Sequence, residues 1–338
     1  MDDMSPIEMI IGGLILLPKA LVQPVVDSGY AACQNHYRRK CMWGQLGARI
    51  LRKIGVSTMS RVFYKYIPKP MKAAIRLVYW ETLDALDVLA GRRDGRVPPR
   101  RLHFVGKGDF LKIGHKFKQL LIEIGGLKST DKVLDVGCGV GRIAIPLTEY
   151  LSKGGAYEGF DVVPAGIRWC KNNITKEYPN FRFQVADLYN KTYNPTGKYA
   201  ACEFIFPYAD NTFDMVILTS VFTHLLYEDA AHYIAEVTRV LRPGGRCFST
   251  FFLLNDESRR AIEEGRSSQL FAYDHKQCKV EHSDTPEDAV AYDEEMIRDM
   301  FSAQALYYDS AVNYGRWSGR TDGRTYQDLL VAIKKPRD

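Results

Sequence analysis

None of the seven cysteines stands in a CxxC pair and their number is odd, which excludes a disulfide framework and fits a reducing compartment. The groups Cys33/His36/Cys41 and His275/Cys278/His282 match no common zinc spacing, so no metal is expected. Long apolar runs are missing too. Met9–Leu17 and, after Pro18 and Lys19, Ala20–Val26 both fall short of the roughly 20 residues a membrane-spanning helix needs. Asp2, Asp3 and Glu8 precede the first run, where a secretory signal would carry positive charge. The membrane option left is shallow, monotopic contact. Acidic residues are absent from residues 31–80, which hold 11 Lys and Arg, and such a stretch is drawn to polyanions or to an anionic membrane face. No internal repeat or low-complexity tract is present.

What is there is ordinary in composition: 338 residues, 46% hydrophobic and 25% charged, enough for one large domain with an extension. Charge is divided unevenly. Residues 1–100 carry 16 basic and 8 acidic residues, net +8, leaving 30 against 32, net −2, for residues 101–338. Leu46, Ile50, Leu51 and Ile54 share one helical face, with Arg49, Arg52 and Lys53 elsewhere, a basic amphipathic helix over 46–57 that suits a membrane surface. After Pro68 and Pro70, apolar residues from Met71 to Ala90 recur at helical spacing until Gly91. Gly91–Arg101 reads as a linker. The expected organisation is an α-helical basic extension at 1–100 and a second domain at 101–338.

In the second part strands alternate with helices, which implies a parallel sheet. Strands are expected at 132–136, 156–160, 181–186, 213–219, 246–252, 305–311 and 326–332, with helices near 115–124, 141–151, 165–177, 229–241 and 293–301. The last two strands have no helix between them. The fold class is α/β: a seven-stranded Rossmann-like sheet with helices on both faces.

The sharpest motif is Val133-Leu-Asp-Val-Gly137-Cys-Gly139-Val-Gly141-Arg142, a buried strand entering a glycine turn that opens a helix. Glycines let the backbone pass close under a ligand and offer it N–H groups. A dinucleotide fingerprint G-x-G-x-x-G would need glycine at 142, where Arg142 stands, which argues against a nicotinamide-dependent oxidoreductase. The pattern G-x-G-x-G after Asp135 resembles the first motif of class I S-adenosylmethionine-dependent methyltransferases. Gly159-Phe-Asp161, with its carboxylate 24 residues after Gly137, resembles that family's ribose-binding strand end, and Val185-Ala-Asp187-Leu188 its adenine-side strand end. Phe206–Leu218 and Leu241-Arg-Pro-Gly-Gly-Arg246 resemble its approaches to the fourth and fifth strands. The resemblance covers about residues 105–334. It implies S-adenosylmethionine as cofactor, with Asp135 at the methionine amino end, the loop Gly137, Cys138, Gly139 and Gly141 under methionine and ribose, and Asp161 with Val162 at the ribose. It further implies Asp187 and Leu188 at the adenine and Thr219 at the end of the fourth strand.

Methyl transfer to a hydroxyl calls for collinear partners and a base, and His224, just after the fourth strand, is the candidate. Thr219-Ser220-Val221-Phe222 stands where enzymes acting on amines of nucleic-acid bases carry a proline pair. The expected activity is O-methylation of a small-molecule, lipid or glycan acceptor near a membrane, in the cytoplasm or peripherally on a cytoplasmic membrane face, with contact through residues 7–80. Nucleic acid is not the expected partner. The alternatives are an RNA or protein methyltransferase gripping its substrate with the basic extension, and a cofactor-binding protein without turnover. The insertion Leu188–Tyr199, Tyr314–Arg320 with Trp317, and Phe104–Phe110 are read as acceptor-recognition and lid candidates.

Overall fold

The computed structural model describes residues 68–103, 108–190, 194–308 and 312–336; the apolar runs near the amino terminus, the basic helix expected at 46–57 and the Cys33/His36/Cys41 group lie outside them. The chain divides into two units, residues 1–76 and 77–338. Helix α1 spans Lys69–Leu89. Its carboxylates Glu81, Asp84 and Asp87 bind the arginines beyond Gly91: Arg100 reaches Asp84 at 2.8 Å and Asp87 at 2.5 Å, and Arg101 reaches Glu81 at 3.1 Å. The stretch expected to be a linker is thereby tied back onto the helix that precedes it. Leu77, Val78, Tyr79, Leu86, Val88 and Leu89 of α1 remain exposed. Among the described residues no helix is long and apolar enough to cross a membrane.

The remaining elements run α2 (Phe110–Glu123), β1 (Lys132–Val136), α3 (Ala144–Leu147), β2 (Ala156–Asp161), α4 (Pro164–Cys170), β3 (Phe181–Val185), β4 (Phe213–Leu218), α5 (Tyr227–Val240) and β5 (Leu241–Phe251). After these come β6 (Leu253–Leu254), α6 (Asp256–Glu263), β7 (Tyr273–His275), β8 (Cys278–Val280), β9 (Val290–Asp293), α7 (Glu294–Ala303), β10 (Leu306–Tyr307) and β11 (Asp328–Lys334). The expected seven-stranded sheet is present, in the order β10-β11-β5-β4-β1-β2-β3. β11 pairs antiparallel with both neighbours and the pairs from β5 to β3 are parallel. Both faces are covered, as the continuous apolar strands require. Leu134, Val136, Val216 and Leu218 pack with α5 and α7, whereas Val133, Met215 and Ile217 pack with α2, α3 and α4.

Local chemistry moves several boundaries. α2 starts at Phe110, five residues before the expected 115, because Asp109 caps it by accepting the Lys112 N–H at 3.0 Å. The helix expected over 141–151 is a single turn, since Pro146 offers no N–H to the Arg142 carbonyl. β5 begins at Leu241, before the expected 246, because Leu241 pairs with Phe213 and Arg246 with Met215, so the Arg-Pro-Gly-Gly segment bulges within the strand.

A second sheet, β6-β9-β8-β7, was not anticipated. Its core is Phe252, Leu254, Phe271, Ala289, Ala291 and Trp317. Trp317 therefore belongs to this core and not to an acceptor surface: it is fully buried and donates its indole N–H to Asp328 at 2.7 Å. His275 and Cys278 form one hairpin of this sheet, where the thiol donates to the His275 carbonyl at 3.2 Å.

Candidate active site

Strand order reverses between β1 and β4, and in such sheets ligands sit outside the carboxyl ends of the strands at that point. A cleft with two lobes opens there. One lobe, about 160 Å³, is lined by Val162, Leu188, Tyr189, Asn190, His224 and Tyr233 among others. The other, about 100 Å³, is lined by His103, Phe110, Phe117, Asp135, Cys138, Gly139 and Arg142. Gly137, Asp161, Thr219 and Ser220 line both and so mark the junction. The fold thus brings together eight of the ten residues expected around a cofactor, and His224 with them. The other two, Gly141 and Asp187, line neither lobe. A Cβ on Gly141 would lie 2.7 Å from Ile174 Cδ1, so that glycine lets the helical turn pack on the segment after α4. The Asp187 carboxylate accepts the Lys198 N–H at 3.2 Å and holds the base of the insertion that carries Tyr189 and Asn190.

The turn after β1 is built from left-handed glycines, with φ of +74°, +58° and +77° at Gly137, Gly139 and Gly141. The Gly137 and Cys138 N–H groups both donate to the Phe160 carbonyl, at 2.9 and 3.0 Å, fastening the turn to β2. Gly139 donates to one oxygen of Asp161 and Val163 to the other, each at 2.9 Å. One carboxylate therefore fixes the loop and the strand end and also faces both lobes. Apart from Gly139 and its two chain neighbours, no atom lies within 4 Å of the place where a Cβ of Gly139 would stand, so the loop borders open space at the lobe it lines.

Asp135 is 1% exposed. One of its oxygens accepts the Tyr157 hydroxyl at 2.5 Å, and the other has no hydrogen-bond partner among the described residues. Burial pushes its carboxyl up to about 7, against the Tyr157 hydrogen bond and with help from the charge of Asp161. A buried acceptor oxygen at a lobe wall is a position built for a cationic donor. The same shift has a thermodynamic consequence without ligand. An unfolded Asp titrates near 3.8, so between about pH 4 and 7 the native state holds a proton that the unfolded chain has released, and stability falls as pH rises through that window. Asp135→Asn removes this contribution. The difference in unfolding free energy between variant and parent is expected to grow in the variant's favour from pH 4 to 7, by up to about 4 kcal/mol. Equal pH dependence in chemical-denaturation curves of the two proteins would refute it.

Three lining groups were not expected as cofactor contacts. His103 stacks on Phe110 with ring centroids 4.8 Å apart, its Nε2 bonded to the Pro98 carbonyl at 2.9 Å, and burial lowers its pKa. The Arg142 guanidinium stands over the Phe110 ring, 5.5 Å from its centroid, in the same lobe as Asp135. The signal for Arg142 was in the motif, at the position where a third glycine was absent, and Phe110 was visible only as the end of the segment read as a lid; His103 gave none, because only α2 folding over the turn brings it there. His224 is half-buried and its Nδ1 lies 2.9 Å from the Glu287 carbonyl. A carbonyl only accepts, so Nδ1 carries the proton, and in the neutral ring Nε2 keeps its lone pair.

Comparison with known proteins agrees with this geometry. Residues 133–245 match the family described as methyltransferase domain. An uncharacterized methyltransferase of Schizosaccharomyces pombe is 29% identical over 125 residues, 35% of this chain and 39% of that protein. The phthiotriol/phenolphthiotriol dimycocerosates methyltransferase of Mycobacterium tuberculosis is 33% identical over 124 residues, 37% of each chain. The 27-O-demethylrifamycin SV methyltransferase of Amycolatopsis mediterranei is 33% identical over 128 residues, 38% of this chain and 41% of that one. The chain thus spans about two fifths of the length of these relatives. The match places a methyltransferase domain at residues 133–245, within the seven-stranded sheet, and the cofactor it implies is S-adenosylmethionine.

Proposed function

We propose that this chain transfers a methyl group from S-adenosylmethionine to an oxygen of a small-molecule, lipid or glycan acceptor. The observation that carries the reading is the two-lobed cleft with a buried carboxyl and a guanidinium at one end. Asp135, with its unpartnered buried oxygen, suits the ammonium of an amino acid, and Arg142, lining the same lobe, suits its carboxylate. Asp161 at the junction suits a vicinal diol, and Val162 and Leu188 offer apolar walls to a flat base. When bound there, S-adenosylmethionine supplies a methyl group on a positively charged sulfur. The chain's own residues do the rest. The apolar lining excludes water, Thr219 and Ser220 flank the junction of the lobes, and His224 Nε2 takes the proton of an acceptor hydroxyl. Oxygen as the acceptor atom is supported by that free imidazole nitrogen and by the relative whose name specifies a 27-O position.

Contact with a membrane surface is part of the proposal. It rests on the acid-free basic stretch at residues 31–80, the apolar runs before residue 27 and the exposed apolar residues of α1. Calorimetric titration of the full chain with S-adenosylmethionine is expected to give micromolar binding, and incubation with membrane-lipid and glycan extracts a methylated product. Cosedimentation with anionic vesicles at low salt, reversed at high salt, is expected as well. Salt-sensitive RNA binding without vesicle binding would move the assignment to a nucleic-acid substrate, and cofactor binding without any product would leave a binding protein.

A further inference from the structure

Ser220, at the junction of the two lobes, has a left-handed backbone, φ +57°, which strains a residue with a side chain and persists where the surroundings enforce it. Its surroundings are specific. The Ser220 N–H donates to Thr250 Oγ1 at 2.8 Å and the Ser220 hydroxyl donates to Gln327 Oε1 at 2.9 Å. The Thr250 hydroxyl donates to that same Gln327 oxygen at 2.7 Å. The Gln327 amide N–H reaches Thr223 Oγ1 at 3.3 Å, in the turn Phe222–His224. A single side chain just before β11 thus grips both ends of residues 220–223, in the segment that leads from β4 to His224. Gln327 is itself fixed, because the next residue, Asp328, is buried and accepts the N–H groups of Leu253 and Gly315 and the indole N–H of Trp317, each at 2.7 Å. The second sheet therefore anchors the residue that anchors the site.

We infer that Gln327 is a positioning residue for the cleft: its amide oxygen holds Ser220 in the left-handed turn that sets the shared wall of both lobes and the direction of the chain to His224. Gln327 lines neither lobe, so it acts through Ser220 and Thr223. The inference rests on the proposal that this cleft takes S-adenosylmethionine, and binding of that compound, measured by calorimetry on the full chain, separates the two. A wild-type protein that does not bind it overturns the functional reading; the tests below apply to a wild-type protein that binds.

Gln327→Leu removes the acceptor of two hydroxyls and is expected to weaken binding about tenfold or more. Gln327→Glu keeps an acceptor oxygen in that place and is expected to bind within threefold of wild type. Glycine adopts φ +57° without strain, so in a Ser220→Gly background the change Gln327→Leu is expected to cost less than threefold. Hydrogen exchange of the amides of residues 220–224 should quicken in Gln327→Leu and not in Gln327→Glu. Wild-type affinity in Gln327→Leu, equal losses in the Leu and Glu variants, or the full tenfold loss in the glycine background would each overturn the inference. Should Gln327→Leu fail to fold, the pair Thr250→Val and Thr250→Ser asks the same question from the other partner: loss in the valine variant with retention in the serine variant supports it, and equal affinities refute it.

Discussion

Asp161→Ala is expected to weaken S-adenosylmethionine binding at least a hundredfold. Both oxygens of this carboxylate already accept backbone N–H groups, from Gly139 and Val163, and a carboxylate oxygen has a second lone pair for a ligand hydroxyl. Two hydrogen bonds from a diol to an ionised group contribute about 1.5–3 kcal/mol each, so losing them amounts to roughly 3 kcal/mol or more, and each 1.4 kcal/mol is tenfold in affinity. The alanine also releases the glycine turn from the end of β2, which adds to the loss. Asp161→Asn gives an intermediate result, because one amide group must turn an N–H toward a backbone N–H that needs an acceptor. Calorimetry decides the matter: an alanine variant within fivefold of wild type would mean that Asp161 only holds the loop and that the ligand sits elsewhere.

His224→Asn is expected to lower product formation 100- to 10,000-fold while leaving cofactor affinity within about tenfold, the span typical of a lost general base. Asparagine is chosen because its amide N–H can keep the bond to the Glu287 carbonyl that the imidazole Nδ1 makes, while nothing replaces Nε2. A purely structural histidine would tolerate this change. Methylated product from the acceptor pool at near wild-type rate would therefore remove the base assignment. Loss of cofactor binding in parallel with product would make His224 a wall of the cofactor lobe, which it also lines.

Much of the site could be read from residues because the chemistry is local. The apolar run Val133–Val136, three glycines at alternate positions and a carboxylate at the end of the next strand are each set by a few neighbours in sequence, and the expected sheet followed from alternation of periods. Arg142 was visible only as an exception to another motif. The insertion after β3 was legible as polar and aromatic, but not that Asp187 would close its base through Lys198 while Tyr189 and Asn190 faced the cleft. The second sheet went unread because its strands are two to four residues long and the pairing of β6 with β9 joins Leu253 to Tyr292, too short for a period and too distant for a turn signal. Trp317 was misread for the same reason, since its partners Phe252 and Phe271 are gathered only by that sheet.

By itself the sequence determined the sheet, the glycine turn and the acidic residues within β1 and at the end of β2, because strand burial and left-handed turns are decided by residue type and spacing. Tertiary structure alone decided the raised carboxyl of Asp135, the protonated Nδ1 of His224 and the enforced turn at Ser220. Each of these depends on groups distant in the chain, Tyr157, Glu287, Thr250 and Gln327, which only folding brings within hydrogen-bonding distance and shields from water.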